Sequence, residues 1–463
     1  MSSEPATSRP TEITASANNV LVDYYRCPEN FVPLALAGHP KGPSGYFRLG
    51  HDTVCYGRLS AGVTVNSPNG KLSDALEGAA AQRHGLALPF DPSEVIENLR
   101  HERYRAQSPE GGHFLSGPVR KAYYALRPLL GVAVRQHLQR LWLRGWEKIS
   151  FPAWPVDTTV DRIHRKLLAM SLRARGLEQI PFIWFWPDGF SSCAIMTHDV
   201  ETSVGRNFCT RLMDLDESFG FYSSFQVVPE SRYSVSRTFL RSIERRGFEL
   251  NVHDLNHDGR LFADHAGFLR RAKRINSYGH EFGAQGFRSA VLYRNADWYE
   301  ALDFSYDMSI PNVAHLDPQR GGCCTVMPYF VGKMVELPVT AVQDYTLYHI
   351  LSDYSIDLWK KQIGMIRENF GLVNIIVHPD YITAGPALDS YRALLRYLSA
   401  LRTAGHVWTP LPREAADWWR YRSKMKLVVD ESGTWRVYGP GSRRARVAYA
   451  RLTGDGVTYL LEN

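Results

Sequence analysis

Residues 192–201 read SCAIMTHDVE, an apolar run that ends in two carboxylates, Asp199 and Glu201, spaced two apart. An uninterrupted apolar run bounded by polar residues fits a strand covered on both faces, with its end at the rim where the strand gives way to a loop. If strand geometry continues, side chains two apart point to one side, and Val200 turns away. One carboxylate can then bind a metal while its neighbour handles a proton.

The same pattern recurs downstream in GFYSSFQVV (220–228), FELNVHD (248–254), GFRSAVL (286–292), DFSYDMS (303–309) and LVNIIVHPD (372–380), with amphipathic stretches between them. This alternation, from about residue 180 to 420, predicts a β/α domain of parallel strands whose C-terminal ends carry the active site. The second run continues into HDLNH, which sets His253 and His257 four residues apart. If the chain turns into a helix there, the two imidazoles share a face and can bind one metal. A carboxylate with two histidines leaves coordination positions open, as a catalytic site requires. A bound metal can polarise an amide carbonyl and acidify a water, while the departing amine still needs a proton, for which His378 is the natural source.

Together, THDVE, HDLNH, GFRSA and the run ending in His378 resemble the motifs of the polysaccharide deacetylase family, the NodB-homology domain, in its divergent Asp-x-Glu branch. The resemblance covers about residues 185 to 410. It implies an α/β fold: an irregular (β/α) barrel of the polysaccharide deacetylase type, here with an N-terminal accessory region and a small C-terminal β appendage. It implies Asp199 as catalytic base, Glu201, His253 and His257 as ligands of a divalent metal with Zn²⁺ foremost, Arg288 as the residue that orients the base, and His378 as general acid. The aspartate paired with the acid histidine is expected at Asp307, with Asp380 and Asp344 as alternatives. The implied activity is hydrolysis of an N-acyl group, N-acetyl first, from an amino sugar of a glycan or glycan precursor. A related C–N hydrolase acting on a small non-sugar amide and a catalytically silent carbohydrate-binding module are the competing readings. The familiar opening motif is altered to Thr197-His198-Asp199-Val200, Asp254 follows the first histidine, and Ala290 stands where the family has Pro.

Around this domain the chain divides into a Ser/Thr/Ala-rich tail (1–19), an accessory region with short strands and turns and no catalytic motif (20–157), the barrel (158–423) and the β appendage (424–463). Within 118–148, apolar residues at helical spacing alternate with Arg and Lys. A helix packed on the main domain is favoured there over peripheral contact with an anionic membrane. With 463 residues, 44% of them hydrophobic, the chain can bury a large core, and its net charge of +7 is spread too evenly to predict a nucleic-acid surface. The partner expected is a carbohydrate substrate. Six cysteines at 27, 55, 193, 209, 323 and 324 form no CxxC pair, which favours a reducing compartment. The first residues do not resemble a secretory signal and no apolar run reaches the length of a membrane span, so a cytoplasmic location is expected. His265, His280 and His315 read as surface or core residues, Cys323 and Cys324 as part of a buried turn, and Tyr293, Trp298, Tyr329 and Tyr345 as core before a sugar-stacking wall.

Overall fold

The structure is a computed structural model that describes residues 13–15, 19–82, 85–107, 143–454 and 456–462, for 13–15 the backbone only. Most of the tail 1–19 and the greater part of the basic segment 118–148 lie outside the described residues.

All nine residues of the first apolar run, β1 (Ser192–Val200), are buried. Each expected run contains a strand: β2 (Ser224–Val227), β3 (Glu249–His253), β4 (Gly286–Arg288), β5 (Tyr306–Asp307), then the hairpin β6 (Tyr329–Val331) with β7 (Met334–Glu336), β8 (Leu372–Ile376) and the short β9 (Val407–Trp408). They form one nine-stranded sheet in the order β6-β7-β5-β4-β3-β2-β1-β8, with β9 on the first residues of β1. Every pairing is parallel except that of β6 with β7. The segment that follows β7 is tied to β8 by individual bonds. Asn374 Nδ2 donates to Leu337 O (2.9 Å), Thr340 Oγ1 to Leu372 O (2.7 Å) and Ala341 N to Asn374 O (3.3 Å). The expected irregular barrel is the observed fold.

Helices α1 (Ser203–Ser218), α2 (Arg237–Arg245), α3 (His265–Phe282), α4 (Asp357–Glu368), α5 (Gly385–Thr403) and α6 (Pro412–Lys424) connect or follow the strands. In α3, the buried residues Phe268, Ala272, Ile275, Gly279 and Phe282 recur every three or four positions, which turns one stripe to the sheet. Gly279 is needed there because a Cβ would meet the Phe304 ring at 2.8 Å.

Alternation along β1 separates two cores. Ala194 and Met196 pack into the cluster under the helices, whereas Cys193 and Ile195 face a second cluster. That second cluster joins the helix Val20–Tyr25, the hairpin of strands Lys41–Arg48 and Val54–Leu59, the helix Pro92–Arg100, the helix Thr159–Arg175 and the strand Gln179–Ile183. The C-terminal strand Val447–Thr453 pairs with Gln179–Ile183 on one edge and Gly456–Leu461 on the other. Packing therefore runs across 157/158 and 423/424. The described residues on both sides of those boundaries share one core. No helix among the described residues is long and apolar enough to cross a membrane.

Candidate metal centre

The parity that sends Cys193 and Ile195 to the inner face sends Thr197 and Asp199 there as well, at the C-terminal rim of β1. Thr197 Oγ1 donates to Ile375 O (2.9 Å) and accepts from Arg288 Nη1 (2.8 Å). The same Nη1 donates to Asp199 Oδ1 at 2.8 Å, and Arg288 Nε donates to Met308 O at 2.9 Å. Arg288 ends β4 and is fully buried. Burial alone would raise the Asp199 carboxyl, but the Arg288 guanidinium, with His253 and His378, outweighs it and holds the group below the usual range. Asp199 is thus an ionised carboxylate in a fixed orientation.

Glu201 follows β1 and keeps the same side. Arg232 Nε donates to its carbonyl (2.8 Å), and Asp380 accepts from its N–H (3.4 Å) as well as from Thr202 Oγ1 and from Gly205 N (3.2 Å). The turn is pinned from two loops, and this places the Glu201 carboxylate at the rim.

His253 is the last residue of β3. Its Nδ1 donates to Arg288 O at 3.1 Å, so the lone pair of its neutral form sits on Nε2. Beyond it the chain does not become a helix. Asp254 and His257 both adopt left-handed backbone angles (φ +54° each), and the irregular turn they define brings the two rings to 5.0 Å between centroids. The expected ligand pair meets, though by a strained turn in place of a helical face. His257 Nε2 lies 2.7 Å from Glu201 Oε1 and His253 Nε2 lies 3.7 Å from it. Ligand atoms of Glu201, His253 and His257 all fall within 4.8 Å of one another. His253 Nε2 and His257 Nε2 are buried and face the Glu201 carboxylate, and His257 Nδ1 is buried with no hydrogen-bond partner among the described residues. Buried imidazole nitrogens that converge on a carboxylate suit a cation with N and O ligands, and this donor set fits a divalent metal.

Burial disfavours charge on His253, but Asp199 and Glu201 overcome it and raise the imidazole above its ordinary value. Burial likewise opposes ionisation of Glu201, yet His257, His253 and His378 hold it well below the usual carboxylate range. The negative field that attracts a proton here attracts a cation equally.

His378 follows β8. Its backbone N–H donates to Asp344 Oδ2 (2.7 Å), its Nδ1 lies 2.6 Å from Asp344 Oδ1, and its Nε2 faces Glu201 Oε1 at 3.5 Å. Burial would lower this imidazole, but Asp344, then Glu201, raise it well above the ordinary value. The carboxylate beside the histidine is therefore Asp344, and Asp307 is corrected. Asp307 does end β5, but it accepts from Ser309 N (2.9 Å) and Ser309 Oγ (2.7 Å) and pairs with buried Glu336 beside Arg288. It lies in the wall behind the arginine. The third alternative, Asp380, serves the turn at Glu201.

Sequence reasoning did not single out Glu336 or Tyr381. Glu336 is a buried carboxylate at a strand end, a signal as good as that of Asp307. Tyr381 packs 5.0 Å from the His378 ring, and Tyr345 lies 5.7 Å from Tyr381. Of the expected aromatics, only half-buried Tyr345 reaches this rim contact; Tyr293 and Tyr329 are core residues. His265 and His280 are exposed, and His315, Cys323 and Cys324 are buried.

The chain matches no protein-family profile and no curated protein by sequence. Among solved structures it is similar to a Mycobacterium smegmatis protein described as a polysaccharide deacetylase, at 22% identity over 51% of this chain and 93% of that one, with a TM-score of 0.42. An allantoinase is similar at 12% identity over 51% and 92%, with a TM-score of 0.40. A family 4 carbohydrate esterase from Streptomyces lividans in complex with acetate is similar at 13% over 47% and 91%, with a TM-score of 0.30. The likeness to polysaccharide deacetylases is one of fold.

Proposed function

We propose that the chain is a metal-dependent hydrolase that removes an N-acyl group, N-acetyl first, from an amino sugar of a glycan or glycan precursor. The observation that carries this reading is the grouping of Glu201, His253 and His257 ligand atoms within 4.8 Å, between an aspartate held by Arg288 and a histidine held by Asp344. Glu201, His253 and His257 hold the cation, with Zn²⁺ the ion best matched to two imidazoles and a carboxylate. Once bound, such an ion supplies Lewis-acid polarisation of the acyl carbonyl and lowers the pKa of water.

The protein's own groups do the proton work. Asp199, kept ionised by Arg288, takes a proton from water as its oxygen adds to the acyl carbon. When the C–N bond breaks, His378 Nε2 gives its proton to the leaving nitrogen, and Asp344 at Nδ1 keeps the ring oriented and supports its charge. The products are a carboxylate and an amino sugar. The proton on Asp199 is released and His378 regains one from solvent.

The test is metal analysis of the purified protein together with acetate release from N-acetylglucosamine oligomers and from small amides. The expected result is bound divalent metal and release from the oligomers. Asp199→Asn should keep the metal and lose turnover, and His253→Ala should lose the metal. Full activity in Asp199→Asn overturns the mechanism, and release from small amides alone moves the substrate away from sugars.

A further inference from the structure

A cavity of about 400 Å³ lies where the accessory region meets the barrel, between the helices Val20–Tyr25, Pro92–Arg100 and Thr159–Arg175, strand β6 and α6. It shares no residue with the metal centre. Tyr24, Arg100, His164, Tyr329, Trp419 and Arg422 are among its walls.

Arg422 is 2% exposed, yet its guanidinium meets only neutral backbone carbonyls: Nε donates to Trp184 O (2.9 Å), Nη1 to Tyr24 O (3.0 Å), and Nη2 to Ile183 O (2.7 Å) and Tyr25 O (3.3 Å). The ring faces of Phe185 and Trp419, at 5.3 and 5.2 Å, add attraction but no counter-charge. Arg100 sits 5.0 Å over the Tyr329 ring; its buried Nε has no hydrogen-bond partner, and the guanidinium forms no ion pair among the described residues. Burial lowers both groups, Arg422 to about 9.

The carboxylates nearby are already committed. Asp23 pairs with Arg26 (3.3 Å) and Glu97 with Arg103 (2.9 Å). Asp161, behind Tyr24, accepts from Thr325 Oγ1 (2.8 Å), Val326 N (3.1 Å) and Tyr24 OH (3.4 Å). His164 stacks on Tyr24 at 4.0 Å and donates Nδ1 to Val160 O (2.8 Å), which leaves Nε2 as an acceptor. Asp161 favours the charge on Arg100 but forms no ion pair with it among the described residues, and an anion that enters the cavity offsets the remaining cost of burying the two guanidinium groups.

We propose that this cavity is a binding site for a small organic anion, a phosphate or carboxylate on a ring-shaped body, with Arg100 as the donor to the anionic group and the Tyr24, Tyr329 and Trp419 rings around the body. The volume is that of a site for a ligand of monosaccharide-phosphate size. Charge-assisted bonds from a guanidinium supply the recognition, and aromatic faces suit a sugar or base ring.

Isothermal titration of the full chain with glucosamine 6-phosphate, glucuronate, inorganic phosphate and uncharged N-acetylglucosamine tests it. Saturable binding of glucosamine 6-phosphate or glucuronate is expected, the one that binds identifying the headgroup, with inorganic phosphate weaker. Binding should persist in His253→Ala, which separates this site from the metal centre, and should weaken at least about tenfold in Arg100→Gln. Should that variant fail to fold, Ser423→Phe fills the cavity from α6 and is expected to block binding. No saturable binding of either ring anion up to about 1 mM, or equal binding in a folded Arg100→Gln or Ser423→Phe protein, overturns the proposal.

Discussion

His198 and His378 stand one strand apart at the rim of the same sheet, both buried and both beside an aspartate. His198 turns to the helix side: its Nε2 lies 3.0 Å from Asp216 Oδ2, and its Nδ1 donates to Val377 O at 2.9 Å. Asp216 also accepts from Ser223 Oγ (2.7 Å) and Tyr391 OH (2.5 Å), so every polar group of this network has a partner. His378 turns to the inner face. Asp344 takes its Nδ1 and backbone N–H, while Nε2 is directed at the Glu201 carboxylate across 3.5 Å. A histidine–aspartate pair whose second ring nitrogen is closed by protein ties elements together, and one whose second nitrogen faces a site can move a proton. The two are joined through Val377, whose carbonyl takes the His198 bond one residue before His378.

The most direct way to break this contrast is His378→Ala. We expect kcat for N-acetylglucosamine oligomers to fall by about 10²–10⁴-fold with metal content unchanged. An aryl acetate, whose leaving group departs without a proton, should lose much less. Equal losses on both substrates would remove His378 from the role of acid. Asp344→Asn sharpens the same point, because it keeps the side-chain shape and removes the charge behind Nδ1. A fall of about 10–100-fold is expected, again larger for the amide than for the aryl ester. Asp307→Asn should not reproduce that leaving-group dependence, since Asp307 contacts Ser309 and Glu336 and has no bond to His378.

The rim was legible where an apolar run stops at a charged residue, because a buried parallel strand leaves few alternatives for CAIMTHDV or LVNIIVH. The pairing of Asp199 with Arg288 followed from strand ends and resemblance together. The partner of His378 was not legible, because Asp344 lies on no strand and reaches the ring from 34 positions away in the chain. Asp307, the first choice for that partner, contacts Ser309 and Glu336 in the wall behind Arg288, and Asp344, one of the two alternatives, holds the ring. The turn at His253–His257 was hidden for a different reason: left-handed angles are uncommon for any residue other than glycine, no local pattern marks them at Asp254 and His257, and i,i+4 spacing suggests a helix first. The accessory core was also hidden. Its strands are short, and Gln179–Ile183 pairs with Val447–Thr453 across most of the barrel sequence, a register that no local pattern encodes.

On the closed side of the comparison the expected effects are on stability. Asp216→Asn removes the carboxylate from a buried network that joins α1 to β1 and β8 through His198. A loss of about 3 kcal/mol in unfolding free energy is expected, read by urea denaturation, while kcat of the folded fraction stays near that of the native chain. A variant of native stability but low kcat would place His198 in the chemistry and erase the contrast.

The smallest effect, and the finest discriminator, belongs to Tyr391→Phe. This change deletes one oxygen from α5 and leaves the ring, which is fully buried, in place. Asp216 Oδ1 then loses its 2.5 Å donor, while Oδ2 keeps His198 Nε2 and Ser223 Oγ. One hydrogen bond to a carboxylate that retains two others is worth about 1–2 kcal/mol, which for a chain of this size lowers Tm by a few degrees at most. Because the His198 ring keeps its bond to Val377 O, the backbone that carries His378 should not move, and kcat and the leaving-group dependence should match those of the native chain. If Tyr391→Phe instead lowers kcat for the amide more than for the aryl ester, the two networks act as one, with proton delivery by His378 dependent on the charge held at Asp216 on the far side of the sheet.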